Sequence, residues 1–249
     1  MIRLLLVLAI ITSCSFTFAA GNVPEHINKS SETEARLRYL QSVNNFTLFA
    51  EAQVADQSDH REYKSIMLGS YYRFFDNLRA GLFYQRQYGF RHDEDWFKDP
   101  VTLVWQWRNT NDRGEDLAIL DLSPKVSLAD SWTFEFKTRY EYNFFSSDRS
   151  LRLRPNLTYF CLRDGEPLAS FFLQAEHVLG LNYGTHAVNE RWLYLGGLYH
   201  YSSALQFGLF AAKKWQQWSS TPNYTAITGK TYTVDADSDV LGLTLILKK

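Results

Sequence analysis

Residues Trp132 to Phe144 read WTFEFKTRYEYNF, and this stretch decides the fold. Trp132, Phe134, Phe136, Tyr140, Tyr142 and Phe144 stand at even positions; Glu135, Lys137, Arg139, Glu141 and Asn143 stand at odd ones. Successive side chains of an extended strand face opposite ways, so one face is aromatic and the other ionic. The run is longer than the five or six residues usual for soluble strands and suits a tilted crossing of a bilayer.

The pattern repeats outward from there. Leu151, Leu153, Pro155, Leu157, Tyr159 and Cys161 alternate with Arg152, Arg154, Asn156 and Thr158. Ala169, Phe171, Leu173 and Ala175 alternate with Ser170, Gln174 and Glu176. Towards the N-terminus, Phe46, Leu48, Ala50 and Ala52 alternate with Thr47, Glu51 and Gln53, and Ile66, Leu68 and Tyr72 with Ser65, Gly69 and Arg73. Val101, Leu103, Trp105 and Trp107 alternate with Thr102, Gln106 and Arg108. Leu241, Leu243, Leu245 and Leu247 line one side of the last segment.

A soluble sandwich or lipocalin-like barrel would alternate too, with its polar face in water. Three features argue instead for apolar residues outside and charges inside. The segments are long. Aromatics gather near their ends, as at Tyr71-Tyr72, Phe74-Phe75, Tyr142 to Phe145 and Tyr199 to Tyr201. The polar faces carry closely spaced Arg and Glu. Aromatic content is 16% and mean hydropathy −0.30, which fits aromatic girdles on a barrel and not a bundle of apolar helices. The expected fold is an all-β, transmembrane, antiparallel up-and-down barrel over 34–249.

Residues 1–19 read as a signal peptide, with Arg3, an apolar run Leu4 to Ile11, and small residues at Thr17 and Ala19. Ile11-Thr12-Ser13-Cys14 also resembles a lipobox, which would acylate Cys14. Residues 20–33 read as a flexible mature N-terminus. Cys161 is then alone, so neither a disulfide framework nor a Cys-based zinc site arises.

Twelve strands are expected: near 34–42, 46–54, 62–74, 77–88, 101–109, 117–127, 132–144, 150–163, 168–178, 189–201, 205–215 and 232–248. Ten strands are the alternative, with 34–42 and 101–109 left out. That choice restores the alternation of short turns and long loops expected of outer-membrane barrels.

The inward basic positions are Arg36, Arg38, Arg73, Arg79, Arg108, Lys125, Lys137, Arg139, Arg152, Arg154 and Lys214, against Glu51, Asp121, Glu135, Glu141 and Glu176. A surplus of Arg in a low-dielectric lumen favours anions. The same charges can instead pair across strands and fill the barrel. The two readings predict opposite outcomes, conduction or a plug. Arg73, Arg79, Arg108, Lys137, Arg139, Arg152 and Arg154 are the pore-lining candidates for solute. Glu51, Glu135, Glu141 and Glu176 are their acidic partners.

The stretch FKTRYEYNFFSSDRSLRLRPNLTYF (136–160) resembles a hairpin of an uncharacterised family of bacterial outer-membrane barrels. QAEHVLGLNYGTHAVNERWLYLGGLYH (174–200), with Asn189 and Arg191 opening a strand, resembles it too. That likeness implies the fold and no activity. In size and basic lumen the chain is also similar to oligogalacturonate-specific porins, which implies a monomer passing acidic oligosaccharides. The C-terminus departs from the aromatic assembly signal, since Leu247 is followed by Lys248-Lys249. Outer-membrane lipid, lipopolysaccharide and the barrel-assembly machinery are the implied partners.

His200-Tyr201-Ser202-Ser203-Ala204 resembles the H-x-S-N-A signature of lipid A deacylases. The acidic partner expected a dozen residues on is missing, because that stretch reads Lys213-Lys214-Trp215, and Ser203 replaces Asn. His26, His60, His92, His177 and His186 lack metal-ligand spacing. Asp93-Glu94-Asp95 and Asp235 to Asp239 read as solvated acidic loops. No catalytic residue, metal, cofactor or nucleic-acid module is assigned. The sequence therefore predicts a porin-like channel for small anions. Its alternatives are a non-conducting structural or adhesive barrel acting through its outer loops, and a lipid-modifying hydrolase.

Overall fold

A computed structural model describes residues 30–57, 62–89, 96–98, 105–107, 114–145, 147–181, 186–220 and 233–249, with isolated residues between 222 and 231. The signal peptide, residues 20–29, Cys14, His26, His60, His92, Asp93-Glu94-Asp95 and Arg108 lie outside them. The described strands are β1 (Ser30–Val43), β2 (Phe46–Gln57), β3 (Glu62–Phe75), β4 (Leu78–Tyr88), β5 (Trp96–Lys98), β6 (Trp105–Trp107) and β7 (Gly114–Ala129). They continue as β8 (Trp132–Asn143), β9 (Arg149–Arg163), β10 (Glu166–Gly180), β11 (His186–His200), β12 (Leu205–Ser220) and β13 (Thr233–Lys248). No helix among the described residues is long and apolar enough to cross a membrane, which says nothing of strands.

Among the described residues eleven strands close the barrel, in the order β1-β13-β12-β11-β10-β9-β8-β7-β4-β3-β2. The expected twelfth is β6, which pairs with β5 in a separate two-stranded sheet inside the β4–β7 connection. Removing that one segment restores the turn rule. The two-residue turns at 44–45, 76–77, 130–131 and 164–165 share one end with 201–204, and the connections at the other end are all of four residues or more. The first expected segment stays in the barrel, so the ten-strand alternative was half right.

An odd count has a topological consequence. Neighbours alternate in direction around the wall, so the first and last strands run the same way. β1 and β13 pair in parallel from Ser30↔Ser238 to Leu40↔Lys248, and the expected wholly antiparallel barrel is corrected to a mixed one. Lys249 extends the seam, donating its N–H to the Leu40 carbonyl at 2.9 Å and accepting from Ser42 N–H at 3.1 Å.

The alternation holds around the wall. Leu195, Leu209, Leu241, Leu243, Ile66 and Leu82 point out and are all more than half exposed. Outward aromatics form two bands. Phe46 with Tyr72 and Trp132 with Tyr159, each pair at 4.9 Å, mark the short-turn end. Tyr142 with Phe144 at 5.3 Å belongs to the other band.

Inside, two apolar clusters face each other from opposite walls. One holds Met67, Tyr71, Phe83, Leu117 and Ile119, with Phe49 against it. The other holds Trp192, Tyr194, Phe210, Ala212 and Val240, with Phe172 against it. Inward glycines make room for the rings. A Cβ on Gly242 would lie 2.1 Å from the Phe210 ring, and one on Gly81 2.5 Å from that of Phe83.

Candidate functional site

The interior is ionic between those clusters, and adjacent strands dictate the pairing. Register sets Asp121 opposite Arg139 and Arg139 opposite Arg152, so each charge on β8 has reach to β7 and β9. Asp121 accepts from Arg139 Nε at 2.6 Å and Nη2 at 2.9 Å, a two-point geometry that only the guanidinium fork provides. Lys137 Nζ lies 3.6 Å from the same carboxylate and donates to Tyr71 Oη at 3.0 Å. Arg139 is 3.8 Å from Glu141, and Arg152 Nη2 donates to Glu141 at 2.8 Å. Arg152 also reaches Glu176 at 3.1 Å, and Arg154 Nε lies 2.7 Å from Glu176. The result is a continuous chain of alternating charge across β7, β8, β9 and β10.

Three further pairs stand beside this chain. Arg79 donates to Glu135 at 2.8 Å and covers the Tyr71 ring at 4.6 Å. Arg38 pairs with Glu51, and Arg36 with Glu34. Lys214 lies over the Trp192 ring at 5.2 Å. Of the candidate pore residues, Arg79, Lys137, Arg139, Arg152 and Arg154 thus come together with Glu51, Glu135, Glu141 and Glu176 around one cavity. Arg73 does not. It has the inward register but stands exposed at the short-turn mouth, beyond the network. Arg108 lies outside the described residues.

Sequence reasoning missed four inward acids: Glu32, Glu34, Glu115 and Glu190. It also missed Lys248, which lies at the mouth in register with Leu40. With them, the described lumen holds eleven basic side chains (Arg36, Arg38, Arg73, Arg79, Lys125, Lys137, Arg139, Arg152, Arg154, Lys214 and Lys248) against nine acids. The expected excess of eleven to five is corrected to near balance.

The charges are unevenly placed along the axis. The four missed acids sit in the long-connection half; Glu34 pairs with Arg36, and Glu190 and Glu115 are held by neutral donors. Glu190 accepts from Trp192 Nε1 at 3.0 Å and Gln216 Nε2 at 2.8 Å. Glu115 accepts from Gln87 Nε2 at 3.1 Å and Asn143 Nδ2 at 2.8 Å. Here packing is dense: Glu190 and Ile119 are 0% exposed, and Glu32, Glu115 and Trp192 are 2%. The short-turn half is looser, with the Arg79 side chain 43% and Arg38 32% exposed. A cavity of about 340 Å³ occupies the barrel there. Arg36, Arg38, Arg79, Lys137, Arg139, Arg152 and Arg154 line it against Glu51, Glu135, Glu141 and Glu176. Leu40, Phe49, Met67, Phe172, Tyr194, Leu198, Phe210 and Ile246 are its apolar lining, and Gln53, Tyr63, Tyr71, Gln85, Asn156, Thr158, Ser170, Gln174 and Thr244 its neutral polar lining.

The deacylase-like motif is not assembled. His200 faces inward, with Nε2 3.1 Å from Ser170 Oγ and Nδ1 2.9 Å from Gln206 Nε2. Ser202 is a turn residue whose N–H donates to the Leu205 carbonyl at 3.1 Å. Both His200 ring nitrogens are thus engaged by Ser170 and Gln206, and neither meets Ser202. Asn189 and Arg191 face outward, and Asn189 meets His177 at 2.7 Å. No group of metal-binding side chains occurs among the described residues.

A scan against protein-family models finds no match to this chain, and a search of curated proteins finds no similar sequence.

Proposed function

We propose that this chain is an outer-membrane β-barrel that stands closed, serving as a scaffold for its long connections and not as an open diffusion pore. The observation that carries the reading is the ionic chain from Asp121 to Glu176. It joins charges that a conducting lumen would leave for solute, beneath a long-connection half packed with buried side chains.

Placement in a membrane rests on the outer surface. The outward residues Phe46, Leu48, Ala50, Ala52 and Val54 of β2 are apolar throughout. Such a run covers about 27 Å of strand, or about 20 Å along an axis tilted by 40°. The two aromatic bands bracket it as girdles do at bilayer interfaces. By the same rule the short turns face the periplasm and the long connections the exterior. An odd strand count departs from the even numbers of bacterial single-chain barrels, although a mitochondrial barrel has nineteen.

Conductance of the refolded protein in a planar bilayer tests closure. Steady single-channel currents are expected to be absent at moderate voltage. Stable anion-selective currents would instead restore the channel reading, which draws support from the seven basic side chains on the cavity wall.

A second measurement tests the surface. Leu209 is 62% exposed on the apolar belt. Arginine there is expected to lower unfolding stability in liposomes by about 2–4 kcal/mol. The same change at Trp215, in the outer aromatic band, should cost about 1 kcal/mol or less. Equal small losses at both sites would remove the bilayer from the reading.

A further inference from the structure

The closed half leaves a cup, and its chemistry is more specific than its charge. The cavity runs from the short-turn side to Tyr63, Gln85 and Glu141, and among the described residues the buried Glu115, Glu190 and Trp192 stand beyond it. Its volume of about 340 Å³ falls at the lower end of small-molecule sites, about 300–1,000 Å³. β4, β8 and β9 contribute Arg79, Lys137 and Arg154; β10, β11 and β12 contribute Phe172, Leu198 and Phe210, with Ser170, Gln174 and Glu176 beside them and Arg36 over the Phe210 ring at 5.0 Å. Basic side chains outnumber acidic ones on the wall, seven to four. The mouth adds Arg73, Lys125 and Lys248, all exposed. A basic rim before a low-dielectric pocket draws anions inward.

We propose that this cup binds a small organic anion with an apolar body, entering from the short-turn side. Lys137 and Arg79 meet the anionic group, and Phe172 and Leu198 meet the body. Lys137 suits the task because its removal leaves Asp121 still held by both Arg139 nitrogens. Arg79 is stacked on Tyr71 and so is pre-positioned without being buried. Neither an inorganic anion nor a neutral apolar molecule satisfies both sets of side chains. The proposal rests on the closed-barrel reading, since an open lumen would offer a path instead of a site.

The test is calorimetric titration of the full mature protein in nanodiscs with phenyl phosphate, inorganic phosphate and benzyl alcohol, with empty discs as reference. Phenyl phosphate is expected to bind at least about tenfold more tightly than either comparator. Lys137→Gln should weaken it by about tenfold, with Lys137→Arg restoring most of the loss. Phe172→Ala should weaken phenyl phosphate and leave inorganic phosphate unchanged. Absence of saturable phenyl phosphate binding, equal affinity for inorganic phosphate, or indifference to both Lys137→Gln and Phe172→Ala would overturn the proposal. A silent bilayer recording with no binding would sink the cup and spare the closed barrel. Steady currents would overturn the closed barrel and the cup together, and any binding seen with them would belong to a site along an open lumen.

Discussion

Asp121→Ala is expected to be among the most damaging single changes in the barrel. The carboxylate is fully buried and accepts two bonds from Arg139, with Lys137 3.6 Å away. Alanine leaves the Arg139 guanidinium, whose side chain is 7% exposed, with Glu141 3.8 Å away as its ionic neighbour. Stripping one partner from a buried pair costs about 3–5 kcal/mol. That is a large share of the roughly 5–15 kcal/mol by which folded domains are stable. The readout is the urea midpoint of refolded protein, followed by the gel-mobility shift of intact barrels. Asp121→Leu combined with Arg139→Met should recover at least half of the loss, since paired apolar replacement removes the stranded charge. A loss below about 1 kcal/mol in the single variant would show that water reaches the pair and screens it.

The same pair shows how far a sequence can be read. Alternation identified both residues as inward because their outward neighbours Leu120, Leu122 and Tyr140 are apolar. Where that contrast fades, the reading failed. Glu32 and Glu34 alternate with Ser31, Thr33 and Ala35, which lie beyond the apolar belt and so gave no greasy face to mark the strand. Residues 20–33 therefore read as a flexible N-terminus, although β1 begins at Ser30.

Glu190 was hidden for the opposite reason. Trp192 and Tyr194 fill the interior while Leu193 and Leu195 face out, so the segment is apolar on both faces. Val101 to Trp107 alternates fully in sequence, yet its described part, Trp105–Trp107, pairs with β5 outside the barrel, because amphipathic spacing also suits a short hairpin. Turn parity held the information to reject it: taking out that one segment puts every two-residue turn at one end. Pairing of the interior charges was the least legible property. It depends on which acids face which bases across strands, and register is fixed by the closed barrel as a whole.

That dependence yields the second large effect. If the ionic chain holds the barrel shut, shortening its middle should open it. Arg152 joins Glu141 and Glu176 at 2.8 and 3.1 Å, so these three residues form the link between β8 and β10. Replacing all three with serine removes two acids and one base together. The removal avoids an isolated Arg152, although Arg154 loses Glu176 and turns towards the cavity. Arg36, Arg38, Arg139 and Lys137 remain on the wall. The triple variant is therefore expected to conduct at least about tenfold above the wild-type leak and to prefer anions, as surplus basic charge in a narrow lumen does. Planar-bilayer recordings with a salt gradient read both the current and its selectivity. A silent but folded triple variant would assign closure to the facing aromatic clusters. Trp192→Ala added to it would then be the change that opens the barrel, because that ring is 2% exposed at the centre of its cluster.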